Sequence, residues 1–327
     1  MKQWCFVISL FLILAGCEES VTYQRAEGKI YGTYYQISYA SPKDLQQEIR
    51  QEMDKVNQSL SMFNPQSVIS KINRNETRTT DSLFRKMYTM AQKVYQQTEG
   101  GYDITVAPLV NAWGFGTEGR EVPDSSRIDS LLLLVGMDKL ELVENELLKE
   151  KPEMKLDASS IAKGLGVDLV AEYFDRQGIS NYMIEIGGEV RVKGESDKKR
   201  SWRIGIDRPE EGNVSDRNLE MILSMSSGSL ATSGNYRNFY MHEGKKYAHT
   251  INPKSGFPVQ TEIVSASVYA TSCMEADAYA TGFMVVGLKK AQEIVNEHPV
   301  LEACLIYQEE GELKVWISDG LKKMVLQ

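Results

Sequence analysis

Cysteine and histidine are scarce in this chain, with four and three copies respectively, and neither forms a ligand pattern. There is no CxxC and no Cys/His spacing, so a structural zinc site or dithiol chemistry has nothing to stand on. Basic blocks are missing too. With 37 Lys and Arg against 45 Asp and Glu the formal net charge is -8, and the lone cluster Lys198-Lys199-Arg200 does not offset it, which argues against a nucleic-acid partner. Repeats of fixed period and low-complexity linkers are absent, which excludes solenoid and propeller arrays. A phosphate fingerprint is absent as well, because Lys163-Gly164-Leu165-Gly166 has the glycine spacing of neither a P-loop nor a dinucleotide-binding turn. What remains, 42% hydrophobic and 25% charged residues, fits a globular protein of one large domain or two lobes.

The long apolar run lies at the start, from Trp4 to Leu14, preceded by Lys2 and followed by Leu14-Ala15-Gly16-Cys17. It is too short for a stable membrane span and reads as an export signal. Leu-Ala-Gly-Cys resembles the lipobox of bacterial lipoproteins, which implies a lipid on Cys17. The expected organisation is a signal peptide at 1–16, a lipidated polar tether at 17–27 and a folded domain at 28–327. Export and a lipid anchor on the periplasmic side of a bacterial membrane follow as the expected location. Cys273 and Cys304 then remain as the cysteines that could pair in an oxidising compartment.

Apolar periodicity predicts a strand over 28–40, a helix over 42–60 with Leu45, Ile49, Met53, Val56 and Leu60 on one face, and a helix over 81–98 stopped by Gly100-Gly101. Further strands are expected at 155–157, 182–186, 189–192, 202–206, 220–225 and 262–269. Helices are expected at 125–135, 161–177, 273–284 and 289–297. The irregular mixture indicates an α+β fold rather than a regular βαβ wheel.

Four segments carry chemistry. Ala231 to Pro258 concentrates turn residues and hydroxyls around His249, a titratable imidazole of the kind that serves as a base near neutrality. A histidine in a surface loop making a structural hydrogen bond is the plainer alternative. Asp277 and Thr281 stand four apart at a helix start, where their oxygens share one face and suit a hard cation such as Mg2+, although an aspartate there also serves as a cap. Leu156 to Gly164 is a hydroxyl-rich junction into a helix, whose free N–H groups and Lys163 suit an anion. Gly101-Tyr102-Asp103 and the Trp113-Gly114-Phe115-Gly116 turn place aromatics beside glycines, as either a platform for a flat ring or buried packing.

In order and content these pieces resemble the ApbE family of lipoproteins, the FAD:protein FMN transferases. The segments that carry the resemblance are Tyr31-Gly32-Thr33, Leu60 to Ser67, Gly101-Tyr102-Asp103 with the Trp-Gly-Phe-Gly turn, Leu156 to Gly164, Ile186-Gly187-Gly188-Glu189, Ala231 to Tyr236, His249 to Pro258 and Ala276 to Thr281. The resemblance implies a single α+β domain of T-fold-like kind, built of two related halves with FAD in the groove between them. It implies a Mg2+-dependent enzyme that splits FAD, attaches FMN through a phosphoester to a threonine of an acceptor flavoprotein subunit, and releases AMP. His249 is then the base. Flavin contacts fall on Tyr31, Phe63, Gly101, Tyr102, Asp103, Asp157, Lys163 and Ile251. Metal positions fall on Ser160, Asp277, Ala280 and Thr281, with Ala280 acting through its backbone oxygen. Tyr31, Phe63 and Asn252 depart from the methionine, tyrosine and aspartate frequent at those places. A FAD pyrophosphatase, a flavin-storing lipoprotein and a nonenzymatic scaffold remain as alternatives.

Overall fold

The computed structural model describes residues 22–116, 122–209, 218–235, 239–242 and 245–326; the expected signal and the Cys17 lipidation site lie outside them. The strands are β1 (Tyr23–Ile30), β2 (Thr33–Ala40), β3 (Leu140–Val143), β4 (Glu146–Lys149), β5 (Tyr182–Ile186), β6 (Glu189–Lys193), β7 (Trp202–Asp207), β8 (Leu219–Met225), β9 (Ser227–Gly234), β10 (Phe239–His242), β11 (Lys245–Ala248), β12 (Ile263–Ala270), β13 (Glu302–Glu309) and β14 (Glu312–Ile317). The helices are α1 (Gln46–Leu60), α2 (Val68–Asn73), α3 (Ser82–Gln97), α4 (Ala107–Ala112), α5 (Ser125–Leu132), α6 (Ala162–Arg176), α7 (Cys273–Glu297) and α8 (Asp319–Lys322).

Eight strands form one antiparallel sheet in the order β1-β2-β5-β6-β9-β12-β13-β14, with α1, α6 and α7 packed on it. Alternation sets which side chains meet those helices, since successive residues of a strand face opposite ways. On β5 it buries Tyr182, Ile184 and Ile186, which join Phe174 of α6 and Ile49 and Met53 of α1 in one cluster. A separate cluster packs Val190 and Val192 of β6 with Trp202, Ile204 and Ile206 of β7 and Leu223 and Met225 of β8. The β7–β8 ribbon stands apart from the large sheet.

The α+β class expected from the sequence is the one observed, with several local differences. The single strand expected over 28–40 is a hairpin, because Tyr31 (φ 50°) and Gly32 (φ 74°) take the left-handed conformation that a tight two-residue turn needs. Its first strand begins at Tyr23, so residues 23–27 of the expected tether pair with β2 instead. No strand forms at 155–157. There the carboxamide of Asn73 occupies both backbone groups of Leu156, donating to its O (2.9 Å) and accepting from its N (2.8 Å), and so stands in for a neighbouring strand. The two helices expected at 273–284 and 289–297 are present as the two segments of α7, separated by the non-helical Gly287 (φ 80°). Cys273 and Cys304 are both buried and unpaired.

Candidate functional site

Two helix starts cross at the centre of the site. Gly164, in the first turn of α6, has no side chain, and a Cβ there would lie 2.4 Å from the carbonyl oxygen of Cys273 in the first turn of α7. Asp168 ties the same crossing: its carboxylate accepts from the backbone N of Cys273 and of Met274, both at 2.9 Å, and pairs with Arg191 at 2.5 Å. The carboxylate thus caps α7, whose free N–H groups need an acceptor. A further bond closes the gap, from Gly164 N to Asp277 Oδ2 at 3.0 Å.

This approach delivers an ion cluster of two buried acids and a half-buried lysine. Lys163 Nζ lies 3.0 Å from Glu189 Oε1 and 3.8 Å from Asp277 Oδ1. Burial works against the Lys163 ammonium, but Asp277 and Glu189 outweigh it and raise its pKa. Glu189 is pushed up from the ordinary carboxylate range by burial, with Lys163 opposing and Asp277 adding to the rise. The second oxygen of Glu189, Oε2, is buried without a hydrogen-bond partner. Glu189 reaches the site because Gly187 (φ 63°) and Gly188 (φ 101°) turn β5 into β6 directly before it.

The cluster opens into a cavity of about 1000 Å3. Ser160, Lys163, Asp277 and Thr281 line its polar part, with Thr281 Oγ1 3.1 Å from Ser233 Oγ of β9. Among the described residues no group of three or more His, Cys, Asp and Glu side chains forms a metal cage. The donors here are instead one carboxylate and several hydroxyls, an all-oxygen set that fits a hard divalent cation and not zinc. Ser160 Oγ also donates to Tyr102 Oη at 3.1 Å. Burial raises the Tyr102 phenol far above its ordinary pKa, so it stays neutral.

His249 enters from a different part of the chain. It follows β11 directly, at the root of a closed loop in which Asn252 N donates to Phe257 O (2.9 Å) and Val259 N to Thr250 O (2.9 Å). An aromatic stack supports this wall. Tyr240 lies on Tyr247 at 5.4 Å between centroids, Tyr247 lies on Trp113 at 5.4 Å, and Trp113 Nε1 donates to Gly256 O at 2.8 Å. Trp113 is therefore a brace, whereas Phe115 lines the cavity and sets its ring edge-on to His249 at 6.4 Å. Asp157 is buried nearby; burial raises its pKa, opposed by bonds from Ser159 and by the charge of His249.

Most residues expected from the sequence reach this cavity: Phe63, Gly101, Tyr102, Asp103, Asp157 and Ile251 line it together with the residues above. Asp103 also has structural duties, accepting from Thr105 N (2.7 Å), Thr105 Oγ1 (2.6 Å) and Met137 N (3.2 Å), and burial lifts its pKa to about 6 against those bonds. Two expected residues do not line it. Tyr31, turned away by the hairpin, packs its ring on Gly166 and donates to Met53 O at 2.6 Å, leaving Thr33 and Tyr34 on the cavity wall. Ala280, expected to act through its backbone oxygen, packs its methyl in the core beside Thr281. Asn252 is a turn former whose Oδ1 accepts from Lys254 N (2.8 Å) and Ser255 N (3.2 Å), as an aspartate oxygen does. Glu189, Tyr34, Phe115 and Ser233 are cavity residues to which the sequence pointed only through their motifs or not at all.

A single α+β domain thus gathers one imidazole, one half-buried ammonium and an oxygen cluster around a cavity of about 1000 Å3. The chain belongs to the ApbE family, whose family model matches residues 31–305. It is 36% identical over 98% of its length to the FAD:protein FMN transferase of Vibrio cholerae, covering 98% of that protein. Its identity to the FAD:protein FMN transferase of Haemophilus influenzae is 34%, over 97% of this chain and 96% of that one. The solved flavin transferase ApbE from Vibrio cholerae superposes with a TM-score of 0.85 at 35% identity, covering 93% of this chain and 99% of the other.

Proposed function

We propose that this chain is a Mg2+-dependent FAD:protein FMN transferase, which takes FAD as substrate, moves FMN to a threonine of an acceptor protein and releases AMP. The observation that carries this is the convergence of His249, Lys163 and the Asp277 and Thr281 oxygens on one cavity of about 1000 Å3, a volume at the upper end of the roughly 300–1,000 Å3 usual for ligand sites.

In the reaction the threonine oxygen attacks the phosphorus of the FMN half of the pyrophosphate. A P–O bond to the AMP phosphate breaks, and AMP leaves with that oxygen and its electron pair. His249 takes the hydroxyl proton, since an imidazole is a base near neutrality, with the buried Asp157 carboxyl close by. Lys163 is fixed in its charged form by Glu189 and Asp277 and meets the pyrophosphate charge. Asp277, Thr281 and Ser160 would hold Mg2+, with Ser233 beside them; when bound, the ion neutralises charge on phosphate oxygens. Phe63 (75% exposed) and Tyr34 (65% exposed) offer ring faces on the cavity wall for the flavin.

The acceptor is a flavoprotein subunit of a respiratory or other redox complex, and the enzyme works exported and lipid-anchored through Cys17. Incubating the chain with FAD, Mg2+ and such a subunit, then weighing the subunit by mass spectrometry, tests the activity; EDTA in a parallel sample tests the metal. Free FMN with no modified protein marks a pyrophosphatase instead, and FAD that survives intact marks a binding protein. Labelling with a palmitate analogue, present in the wild type and lost in Cys17→Ser, tests the anchor.

A further inference from the structure

Among the described residues strand β7 pairs with β8 and with no other strand. The far edge of β8 is taken, because Ser224 N donates to Met324 O at 2.7 Å and Leu326 N to Ile222 O at 2.8 Å. In an antiparallel ladder the N–H and C=O of one residue point to the same side. Ser224 and Ile222 therefore point away from β7, and their register partners, Arg203 and Gly205, point away from β8. Among the described residues nothing receives or donates at those backbone groups.

That free edge is part of the cavity. Arg203, Ile204 and Gly205 all line it. Successive side chains of a strand face opposite ways, so a wall made by three consecutive residues is made by the strand's edge and not by one face. Trp202, Ile204 and Ile206 are buried in the core behind. At Gly205 the face is closed by Leu219, whose Cδ2 lies 2.8 Å from where a Cβ would stand, so the backbone is what this position still offers. Arg203 is exposed and has no acidic partner among the described residues.

An open strand edge is a template for another strand. We infer that the acceptor protein docks on β7: an extended segment bearing the target threonine adds to the Arg203–Gly205 edge, with an acidic residue of that segment facing Arg203. Main-chain hydrogen bonds hold such a segment, and its alternation sends every second side chain to one side. The threonine hydroxyl is thereby presented to the cavity that holds His249. This inference rests on the transferase activity proposed above.

The probe is a synthetic peptide copied from the FMN-bearing tryptic fragment of the acceptor, N-methylated at one backbone amide at a time and offered to the wild-type chain with FAD and Mg2+. Transfer is expected to fall about fivefold or more, the worth of one backbone hydrogen bond, at alternate amides and little at those between. Equal loss at neighbouring amides, or none anywhere, overturns the inference. On the enzyme side, Arg203→Pro removes an outward N–H while sparing the ladder to β8. It is expected to lower transfer to the intact acceptor at least about tenfold, more than one hydrogen bond because the ring also blocks the edge; unfolding temperature and FAD affinity report whether the fold survives. Wild-type transfer by a folded Arg203→Pro protein sinks docking at this edge. No transfer by the wild type to the intact acceptor sinks the transferase activity itself, a separate outcome.

Discussion

Replacing Gly164 by alanine tests whether the helix crossing that builds the ion cluster is as tight as it looks. At an ordinary helical site the substitution stabilises by about 1 kcal/mol, since glycine is the poorer helix former. Here the new Cβ would meet Cys273 O at 2.4 Å, Cys273 C at 2.7 Å and Met274 Cα at 2.7 Å. All three are backbone atoms of the neighbouring helix, so no side chain can swing aside. The two helix starts must separate instead. Overpacking of this kind costs about 1–3 kcal/mol, and separation also stretches the 3.0 Å bond from Gly164 N to Asp277 Oδ2. Asp277 is 2% exposed, so a weakened bond leaves a buried carboxylate short of a partner, at about 1–3 kcal/mol more. Clash and lost bond outweigh the helix gain, and the expected net destabilisation is about 3 kcal/mol by urea unfolding. FAD affinity and transfer rate should fall with it, because the same movement draws Asp277 away from Lys163. A Gly164→Ala protein that gains about 1 kcal/mol, as an unobstructed helix would, refutes the crossing as the device that sets the cluster.

Other expectations follow from single contacts. His249→Gln should lower the transfer rate by about 10²–10⁴-fold, the usual share of a general base, with FAD binding retained by fluorescence titration; an unchanged rate removes His249 from the mechanism. Asp103 has its folded pKa raised from 3.8 to about 6 by burial. Its contribution to stability is therefore fully present below about pH 4 and lost as pH rises through about 6, and Asp103→Asn should flatten urea-unfolding stability across that window. Asp168→Ala should cost about 3–5 kcal/mol, because it strands Arg191 in a partly buried site and leaves the N–H groups of Cys273 and Met274 without their acceptor. Asn252→Asp keeps the oxygen that accepts from Lys254 N and Ser255 N, so thermal unfolding should shift little, whereas Asn252→Ala should cost about 1–2 kcal/mol.

Sequence pattern revealed those elements whose faces differ. Helices α1 and α3 show apolar residues at helical spacing, α3 begins at the Asp81 cap, and the strands β5 to β8 were expected nearly where they stand. Strand β13 was not, because Ala303-Cys304-Leu305-Ile306 is buried on both faces and has no period to show. Strand β9 has no counterpart among the expected strands for the opposite reason. Its serines and glycines favour loops, but β6 and β12 pair with it on either side and impose extension. Small residues also suit the position, since α7 packs directly over this strand.

The site shows the same division at finer scale. Motif order brought the right segments together, but which residue of a segment faces the cavity depends on backbone turns that composition does not encode. The left-handed pair at Tyr31-Gly32 turns Tyr31 inward and leaves Thr33 and Tyr34 to the groove. One step along α7 separates Ala280 in the core from Thr281 at the oxygen cluster. At Lys163-Gly164 the two demands meet in adjacent residues: the lysine supplies a half-buried charge, and the glycine lets the helices approach closely enough for Asp277 to join Glu189 in holding it. An ammonium drawn partly out of water without those acids is costly, so a larger residue at 164 should harm the chemistry along with the packing. The glycine that fails as a nucleotide fingerprint is thus required by packing, and through packing by charge.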